Sequence, residues 1–254
     1  MPTKPKIAVF KFTGCAGCQM EFLRLADEYP DILGKVELSY FKMAKRDNVA
    51  GPYDISLIEG SISCPRELEE IKEIRKHSNV LVALGDCAVN GCLPSIKNWI
   101  PQSENERRVY EDTSVVQSFA LHGLSEYVKV DAHVSGCPPD KNLMLGLLVK
   151  SLQQLRVYHR PHAVCVECKL RENVCLLTAL KQPCMGPVTK GGCNALCPSG
   201  ARVCEGCYGP MSDANAQSLA NAFKECGLAD DDIMRKFRKY AGLTSEFSKE
   251  ASKI

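Results

Sequence analysis

Cysteine is the residue type whose number and spacing first indicate chemistry in this sequence, with fifteen copies along the chain. The densest stretch is "CNALCPSGARVCEGCYGP", in which Cys193, Cys197, Cys204 and Cys207 have spacings of x3, x6 and x2. Ordinary core packing does not explain such crowding. A disulfide knot, a zinc ion and an iron–sulfur cluster would each explain it, and each implies a different kind of protein.

A second group of four cysteines lies just upstream, at Cys165, Cys168, Cys175 and Cys184, with spacings of x2, x6 and x8. Zinc sites commonly combine closely spaced cysteine pairs, so two structural zinc ions are one interpretation of the two groups. Two iron–sulfur clusters are the other interpretation. Spacing alone does not decide between them.

Six further cysteines each come at or just after the end of a predicted strand. Apolar runs typical of strands cover residues 6–12, 35–41, 53–60, 79–85 and 128–134, and the cysteines that follow them are Cys15, Cys18, Cys64, Cys87, Cys92 and Cys137. The carboxyl ends of parallel strands meet at one sheet edge, so we expect these thiols to converge there on a cluster. A thioredoxin-like redox pair at "GCAGC" and burial of single cysteines in the core are the alternatives. With the two later groups, at least twelve thiolates indicate three four-cysteine sites in series.

Helical patterns alternate with these strands, at residues 18–29, 65–77 and 140–155. The alternation predicts an α/β fold, a flavodoxin-like doubly wound parallel sheet that ends near residue 158. Residues 165–210 show no sustained period, and we expect inorganic cross-links to order them. Helices at 213–226 and 229–240 follow, and the tail "TSEFSKEASKI" is expected to fray. We therefore predict a flavodoxin-like domain over 1–158 and a small, mostly irregular and helical iron–sulfur domain over 159–254.

Composition and charge exclude several classes of function. A net charge of +2 with mixed acids and bases does not provide the concentrated basic surface that nucleic-acid binding needs. We assign "RKFRK" at 235–239 to a solvated helix face. No run approaches the roughly 18 apolar residues of a membrane span. The N-terminus has no export signal, so we expect a cytoplasmic protein, in which disulfides are disfavoured. No GxGxxG or P-loop motif is present, so nucleotide or flavin would bind to other subunits.

Five motifs together resemble the small, electron-transferring subunit of [NiFe]-hydrogenases: "GCAGC", "GDCAVNGC", "GCPP", "CLLTALKQPCMGPVTKGGC" and "CPSGARVCEGCYGP". The resemblance covers nearly the whole chain and is greatest to the cytosolic bidirectional or sulfhydrogenase type. It implies three [4Fe-4S] clusters that carry electrons from the nickel–iron centre of a large subunit during reversible hydrogen oxidation. It also implies partner subunits that carry flavin or iron–sulfur groups or react with NAD(P). The terminal acceptor stays open.

Three sets of ligands follow from this resemblance, and we name them by their expected clusters. The proximal quartet is Cys15, Cys18, Cys87 and Cys137; the medial quartet is Cys193, Cys197, Cys204 and Cys207; the distal quartet is Cys165, Cys168, Cys175 and Cys184. Cys197 predicts a four-iron rather than a three-iron medial cluster. His162, three residues before Cys165, is the alternative first ligand of the distal cluster.

The remaining cysteines match no ligand position of the family. Cys64 is expected close to the proximal site, as a neighbouring thiol or an unusual ligand, and Cys92 has no assigned role. We expect Cys226 to be a core residue on a helix face. Two other functions stay open at this point: a complex I-like cluster subunit, and a non-catalytic scaffold stapled by zinc. The first would be favoured by adjacent cysteines in the first motif and by the lack of a C-terminal cluster domain, and neither feature is present.

Overall fold

A computed structural model describes residues 4–153 and 162–252 of the chain. The N-terminal part alternates strands with helices, in the order β1 (Lys6–Lys11), α1 (Gly17–Glu28), α2 (Pro30–Leu33), β2 (Glu37–Phe41), β3 (Tyr53–Glu59), α3 (Pro65–Lys76), β4 (Ser78–Leu84), α4 (Asp86–Asn90), α5 (Gln102–Val109), β5 (Ala132–Val134) and α6 (Lys141–Leu152). Short 3-10 segments cover Leu93–Trp99 and Leu124–Glu126. In the described part of the chain, every helix is too short or too polar to cross a bilayer.

The five strands form one sheet in the order β2-β1-β3-β4-β5, and every neighbouring pair is parallel. This is the strand order of flavodoxin-like doubly wound sheets, so the predicted fold class is confirmed. The chain reverses its winding direction between β1 and β3. The loops that leave these strands at their carboxyl ends flank the crevice in which such folds bind ligands.

Helices cover both faces of the sheet because successive strand side chains point to opposite sides. On one face, Ile7 and Val9 of β1 belong to a buried cluster with Phe22 of α1 and Leu147 of α6. On the other face, Phe10 belongs to a cluster that includes Ile71 and Ile74 of α3. The sheet is therefore buried on both sides, and its ligand-binding edge is the part left for chemistry.

The C-terminal part is built from short helices around three phenylalanines. Its helices are α7 (Val164–Leu170), α8 (Leu196–Ser199), α9 (Ala216–Glu225), α10 (Asp230–Arg238) and α11 (Ser245–Ala251). Phe237 lies between Phe223 and Phe247, with ring centroids 6.4 and 5.3 Å away. Leu176 and Met185 of the cysteine-rich segment pack into the same core.

One expectation for the C-terminal part is wrong. The tail does not fray over residues 245–251, because Phe247 and Ala251 lie one helical turn apart and are both buried against α10. The cysteine-rich segment is mostly irregular with the short helices α7 and α8, as predicted, and it shares a hydrophobic core with the last three helices. The fifth strand is also shorter than predicted. The domain boundary predicted near residue 158 lies outside the described residues.

Direct contacts hold the cysteine-rich segment against the sheet edge. The backbone N–H of Asp140 donates to the Tyr208 hydroxyl at 2.8 Å, and the Asp140 carboxylate caps α6 by accepting from Asn142 at 2.9 Å. Gly209 lies so close to Asn90 that a Cβ there would be 2.5 Å from the side-chain nitrogen. These contacts bring the end of the medial quartet to the loop that contains Cys137.

We predict that Phe237→Ala destabilises the protein by about 3–5 kcal/mol, because the ring is fully buried between two others. Urea-dependent pulse proteolysis of anaerobically purified protein measures this change. The matched control is Val109→Ala on α5, where the side chain is 73% exposed and the change should stay within about 0.5 kcal/mol. Equal stabilities of the two variants would contradict the proposed core.

Candidate cluster-binding sites

The proximal quartet assembles from three loops at the carboxyl edge of the sheet. Cys15 precedes α1 and Cys18 lies in its first turn, Cys87 lies in α4 directly after β4, and Cys137 follows β5. Burial raises the pKa of the Cys18 thiol, and so do the Glu59 carboxylate and the other three thiols of the quartet. The structure therefore places the three other thiols that the family resemblance implied close to Cys18.

Glycines let the backbone approach these sulfurs closely. Gly85 has a φ of +83°, and a Cβ at this position would lie 2.2 Å from the Cys18 sulfur. The N–H of Gly17 donates to the Cys15 sulfur at 3.3 Å. Hydrogen bonds from the backbone to sulfur and close packing of the backbone are what an iron–sulfur cluster needs around its ligands.

Glu59 fixes the helix that carries the CxxC loop, and sequence reasoning did not single it out. Its carboxylate is buried at the end of β3 and accepts from the N–H groups of Cys18 at 3.3 Å and Gln19 at 3.2 Å. The residue at the N-cap of α1 is Ala16, which has no side-chain cap to offer. Burial raises the pKa of Glu59, and the backbone N–H groups oppose this shift. The signal for Glu59 that the sequence offered was a charged residue at the end of an apolar strand.

Cys92 also lies at the proximal site, although no role was predicted for it. The side chain is fully buried, and the neighbouring sulfurs of Cys137 and Cys87, together with burial and the Asp86 carboxylate, raise the pKa of its thiol. The buried Asp86 carboxylate accepts from Asn90 Nδ2 at 2.6 Å through Oδ1, whereas its Oδ2 has no hydrogen-bond partner among the described residues. Cys64 is half-buried at the N-cap of α3.

The distal quartet lines one small cavity of about 30 Å³. Cys165 and Cys168 share one face of α7, and Cys175 and Cys184 come from the turns that follow. The pKa of Cys165 is raised to about 11, mainly by burial and then by the other three thiols. A Cβ on Gly186 would lie 3.3 Å from the Cys165 sulfur, so a glycine also borders this site.

His162, the alternative distal ligand, is paired elsewhere. Its Nε2 lies 3.0 Å from Glu167 Oε1, and a Cβ on Gly191 would lie 2.5 Å from the same nitrogen. Glu167 also accepts from the N–H groups of Gly192 at 2.5 Å and Ala195 at 3.1 Å. His162 thus helps to hold the loop that leads into the medial quartet, and it does not line the cavity that the four distal thiols share.

The medial quartet lines a larger cavity of about 710 Å³. All four of its cysteines border this space, with Cys197 contributed by the short helix α8. Cys137 of the proximal quartet lies in the wall of the same cavity. Cys204 is buried, whereas Cys197 is exposed.

Close contacts join each quartet to the next. The backbone N–H of Cys137 lies near the Cys207 sulfur and opposes the burial that raises the pKa of that thiol to about 12. The backbone N–H of Cys204 donates to the Cys184 sulfur at 3.2 Å. The three quartets therefore form a series in which proximal, medial and distal sites are direct neighbours.

The donor sets fit iron–sulfur clusters. Each quartet supplies four thiols with backbone N–H groups or glycines beside them, and four thiolates are the usual ligands of a [4Fe-4S] cluster. All fifteen cysteines lie within the described residues, and every one of them is free of disulfide bonds. Within the same residues, no three His, Cys, Asp or Glu side chains are close enough to hold one metal ion in common.

Comparison with known proteins places the chain in a family. The family model described as the 20 Kd subunit of NADH ubiquinone oxidoreductase matches residues 15–151. The chain is 38% identical to sulfhydrogenase 2 subunit delta of Pyrococcus furiosus, over 93% of this chain and 99% of that protein. It is a [NiFe]-hydrogenase small subunit. This small subunit is also 28% identical, over its whole length, to a subunit of the vhu F420-non-reducing hydrogenase of Methanococcus voltae, of which 98% is covered.

Solved structures agree with this assignment. A chain of an NAD+-reducing [NiFe]-hydrogenase in the H2-reduced state superposes on the small subunit with a TM-score of 0.55 at 26% identity, covering 62% of this chain and 96% of that one. A chain of the [NiFeSe]-hydrogenase of Dm. baculatum gives a TM-score of 0.57 at 17% identity, covering 83% and 96%. The similarity to the [NiFeSe]-hydrogenase chain supports the fold alone.

We predict that Gly85→Ala removes about four irons per chain, because the new methyl group would occupy the space of the Cys18 sulfur. Iron analysis after anaerobic purification measures the loss. The matched control is Gly227→Ala, which has a similar φ of +87° but open space around its Cβ position. Full iron content in Gly85→Ala would show that the proximal quartet does not hold a cluster in this geometry.

Proposed function

We propose that this small subunit conducts electrons between the nickel–iron site of a large subunit and an acceptor subunit, through three [4Fe-4S] clusters. The proximal, medial and distal quartets would hold these clusters in that order. The observation that supports this proposal is the direct contact between quartets: Cys137 borders the cavity that the medial quartet lines, and the backbone N–H of Cys204 donates to the Cys184 sulfur. A protein that used the cysteines only as staples would not need its sites to touch in series.

Iron–sulfur clusters, when bound, accept and release single electrons over a wide range of potentials. The residues of this chain fix the positions of the clusters and stabilise their charge. Thiolates fix where each cluster lies, and backbone N–H groups such as those of Gly17 and Cys204 stabilise negative charge on sulfur. Burial of Cys18, Cys184 and Cys204 keeps water away from three of the ligands. The chain carries electrons, and hydrogen is split on the partner.

The proximal end is where the large subunit is proposed to bind. Cys15 is exposed at the sheet edge, and Met20 on the first turns of α1 is half exposed beside it. Exposed apolar side chains next to a redox site are typical of a surface that another subunit covers. Cys197, which lines the medial cavity with its three partners, supports a four-iron medial cluster.

The domain division and the location of the protein remain proposals. A boundary near residue 158 would separate the core of the sheet from the core around Phe237. A cytoplasmic location is consistent with fifteen cysteines that form no disulfide. Neither proposal changes the assignment of the quartets.

The family model raises the complex I-like alternative again, because its description names a subunit of NADH ubiquinone oxidoreductase. Its match ends at residue 151, before the medial and distal quartets begin. The hydrogenase relatives match 93% and 100% of the chain, which includes both quartets. The hydrogenase function therefore accounts for more of the molecule.

We expect the anaerobically purified complex of the small and large subunits to contain about twelve irons and twelve sulfides in the small subunit, four of each for every quartet, and one further iron from the nickel–iron site. Iron and acid-labile sulfide analysis measures both. A colourless preparation that contains a few zinc ions per chain would instead support the structural scaffold and refute the proposed function.

We predict different results for the two candidate ligands of the distal site. Cys168→Ala should lower the iron content by one to about four irons and change the spectrum of one cluster, because Cys168 lines the distal cavity. His162→Ala should leave about twelve irons, because the ring pairs with Glu167. Electron paramagnetic resonance of the reduced protein checks both variants. If only the histidine variant changes the distal spectrum, His162 is the ligand.

A further inference from the structure

Three charged side chains meet directly beside the medial quartet. Glu205 lies between the proposed ligands Cys204 and Cys207 in the sequence, and its side chain borders the medial cavity. Lys236 of α10 and Lys239, which directly follows this helix, both pair with the Glu205 carboxylate. The Lys236 Nζ lies 2.8 Å from Oε1, and the Lys239 Nζ lies 3.1 Å from Oε2. We call Glu205, Lys236 and Lys239 the Glu205 ion cluster.

The packing of α10 holds the two lysines in this position. Phe237 is fully buried between two other rings, so the helix cannot turn about its axis without opening the core. The Arg238 guanidinium lies 4.4 Å from the centroid of the Trp99 ring, and its Nε donates to a backbone carbonyl of α11 at 2.7 Å. The sequence predicts a solvated face for "RKFRK", but the structure differs at Lys236, whose side chain is only 20% exposed.

Acidic side chains outnumber basic ones around the medial cavity. Among the described residues that line it, five are acidic and two, Arg24 and Lys141, are basic. Each of these two cations already has an acid of its own, since Arg24 pairs with Glu21 and Lys141 pairs with Glu28. Glu205 is instead paired with two lysines. The Glu205 ion cluster is therefore a part of the surroundings of the medial quartet in which positive charge exceeds negative charge.

An excess of positive charge beside the medial quartet has a consequence for the cluster that the quartet is proposed to hold. A [4Fe-4S] cluster bound by four thiolates is anionic, and its reduction adds one more negative charge. Positive charge nearby stabilises the reduced state and raises the reduction potential, whereas negative charge lowers it. Solvent and salt screen exposed charges, but the side chains of Lys236 and Glu205 are both mostly sheltered.

We propose that Lys236 and Lys239 raise the reduction potential of the medial cluster, and that Glu205 limits this rise while it anchors both lysines. The three are positioning residues, because they hold charge beside the cluster and do not bind it. The proposal rests on the function proposed above and adds the residues that set the potential of the middle site.

The first test is a redox titration of the intact, anaerobically purified hydrogenase, followed by electron paramagnetic resonance. The medial signal is identified as the one that Cys197→Ala alters. In Lys236→Gln/Lys239→Gln, the equilibrium constant for reduction of the medial cluster should fall about tenfold or more. Each factor of ten is a shift of about 59 mV to more negative potential. An unchanged medial potential would overturn the proposal.

The matched control is Lys72→Gln/Lys76→Gln on α3. Each of these exposed lysines also pairs with a carboxylate, Lys72 with Glu69 and Lys76 with Glu73. The control therefore removes the same charge from the surface of the sheet domain, and it should leave the medial potential unchanged. An equal shift in the control would show a general effect of net charge and would overturn the proposal.

Glu205→Gln distinguishes an effect of charge from an effect of structure. This variant also breaks both ion pairs, but it removes a negative charge, so the medial potential should become more positive. Lys236→Arg/Lys239→Arg keeps both positive charges and should keep the wild-type potential. If the ion pairs act only by holding the loop or by favouring the end of α10, Glu205→Gln and the double glutamine variant shift the potential in the same direction. That result would refute the proposal.

The medial signal of the wild type separates a failure of this proposal from a failure of the proposed function. If the wild-type hydrogenase gives no medial signal, the electron path through three clusters is itself wrong. If the double glutamine variant loses the medial cluster, Lys239→Gln alone takes its place, because this side chain is 43% exposed. The single variant must lower the medial potential, since it removes one of the two cations. A potential equal to that of the wild type would refute the proposal.

Discussion

The arrangement of the molecule depends on close contacts between the backbone of one cysteine quartet and the sulfurs of the next. The backbone N–H of Cys204 donates to the Cys184 sulfur, and Cys137 borders the cavity that the medial quartet lines. Because these cysteines are themselves proposed ligands, the contacts place neighbouring sites side by side. The Asp140–Tyr208 bond and the close contact of Gly209 with Asn90 hold the same junction.

Electrostatics explains why these sites suit a cationic group. Burial and neighbouring thiols raise the pKa values of Cys18 and Cys165, so four thiolates this close are costly in the bare protein. Burial raises the pKa of the Glu59 carboxyl and raises that of Asp86 to about 7, so ionised carboxylates beside the proximal quartet are costly as well. Iron ions would offset this charge, as bound metals do when they deprotonate their thiol ligands. The glycines at 85 and 186 leave room for the sulfurs to face such a group.

Local sequence patterns predicted most of the strands and helices. The features that were missed depend on contacts between residues that are far apart in the sequence. All five strands and the helices α1, α3 and α6 follow from apolar periodicity, and the strand ends predicted where the proximal thiols meet. Periodicity could not assign roles to Glu59 and Cys92. Glu59 accepts from an N–H group that is distant in sequence, and the neighbours of Cys92 depend on the conformation of the turn that carries it. Helix α11 was missed because two apolar residues make a weak pattern, and the core formed by Phe223 and Phe237 stabilises it. The spacing of the cysteines likewise did not distinguish zinc sites from iron–sulfur clusters.

The most direct measurement is an anomalous diffraction map, recorded at the iron absorption edge from anaerobically grown crystals of the hydrogenase. We expect three separate iron clusters in this subunit, bound by the proximal, medial and distal quartets, with the medial cluster between the other two. Peaks that appear at the zinc edge instead, or iron at the proximal quartet alone, would contradict a three-cluster electron path.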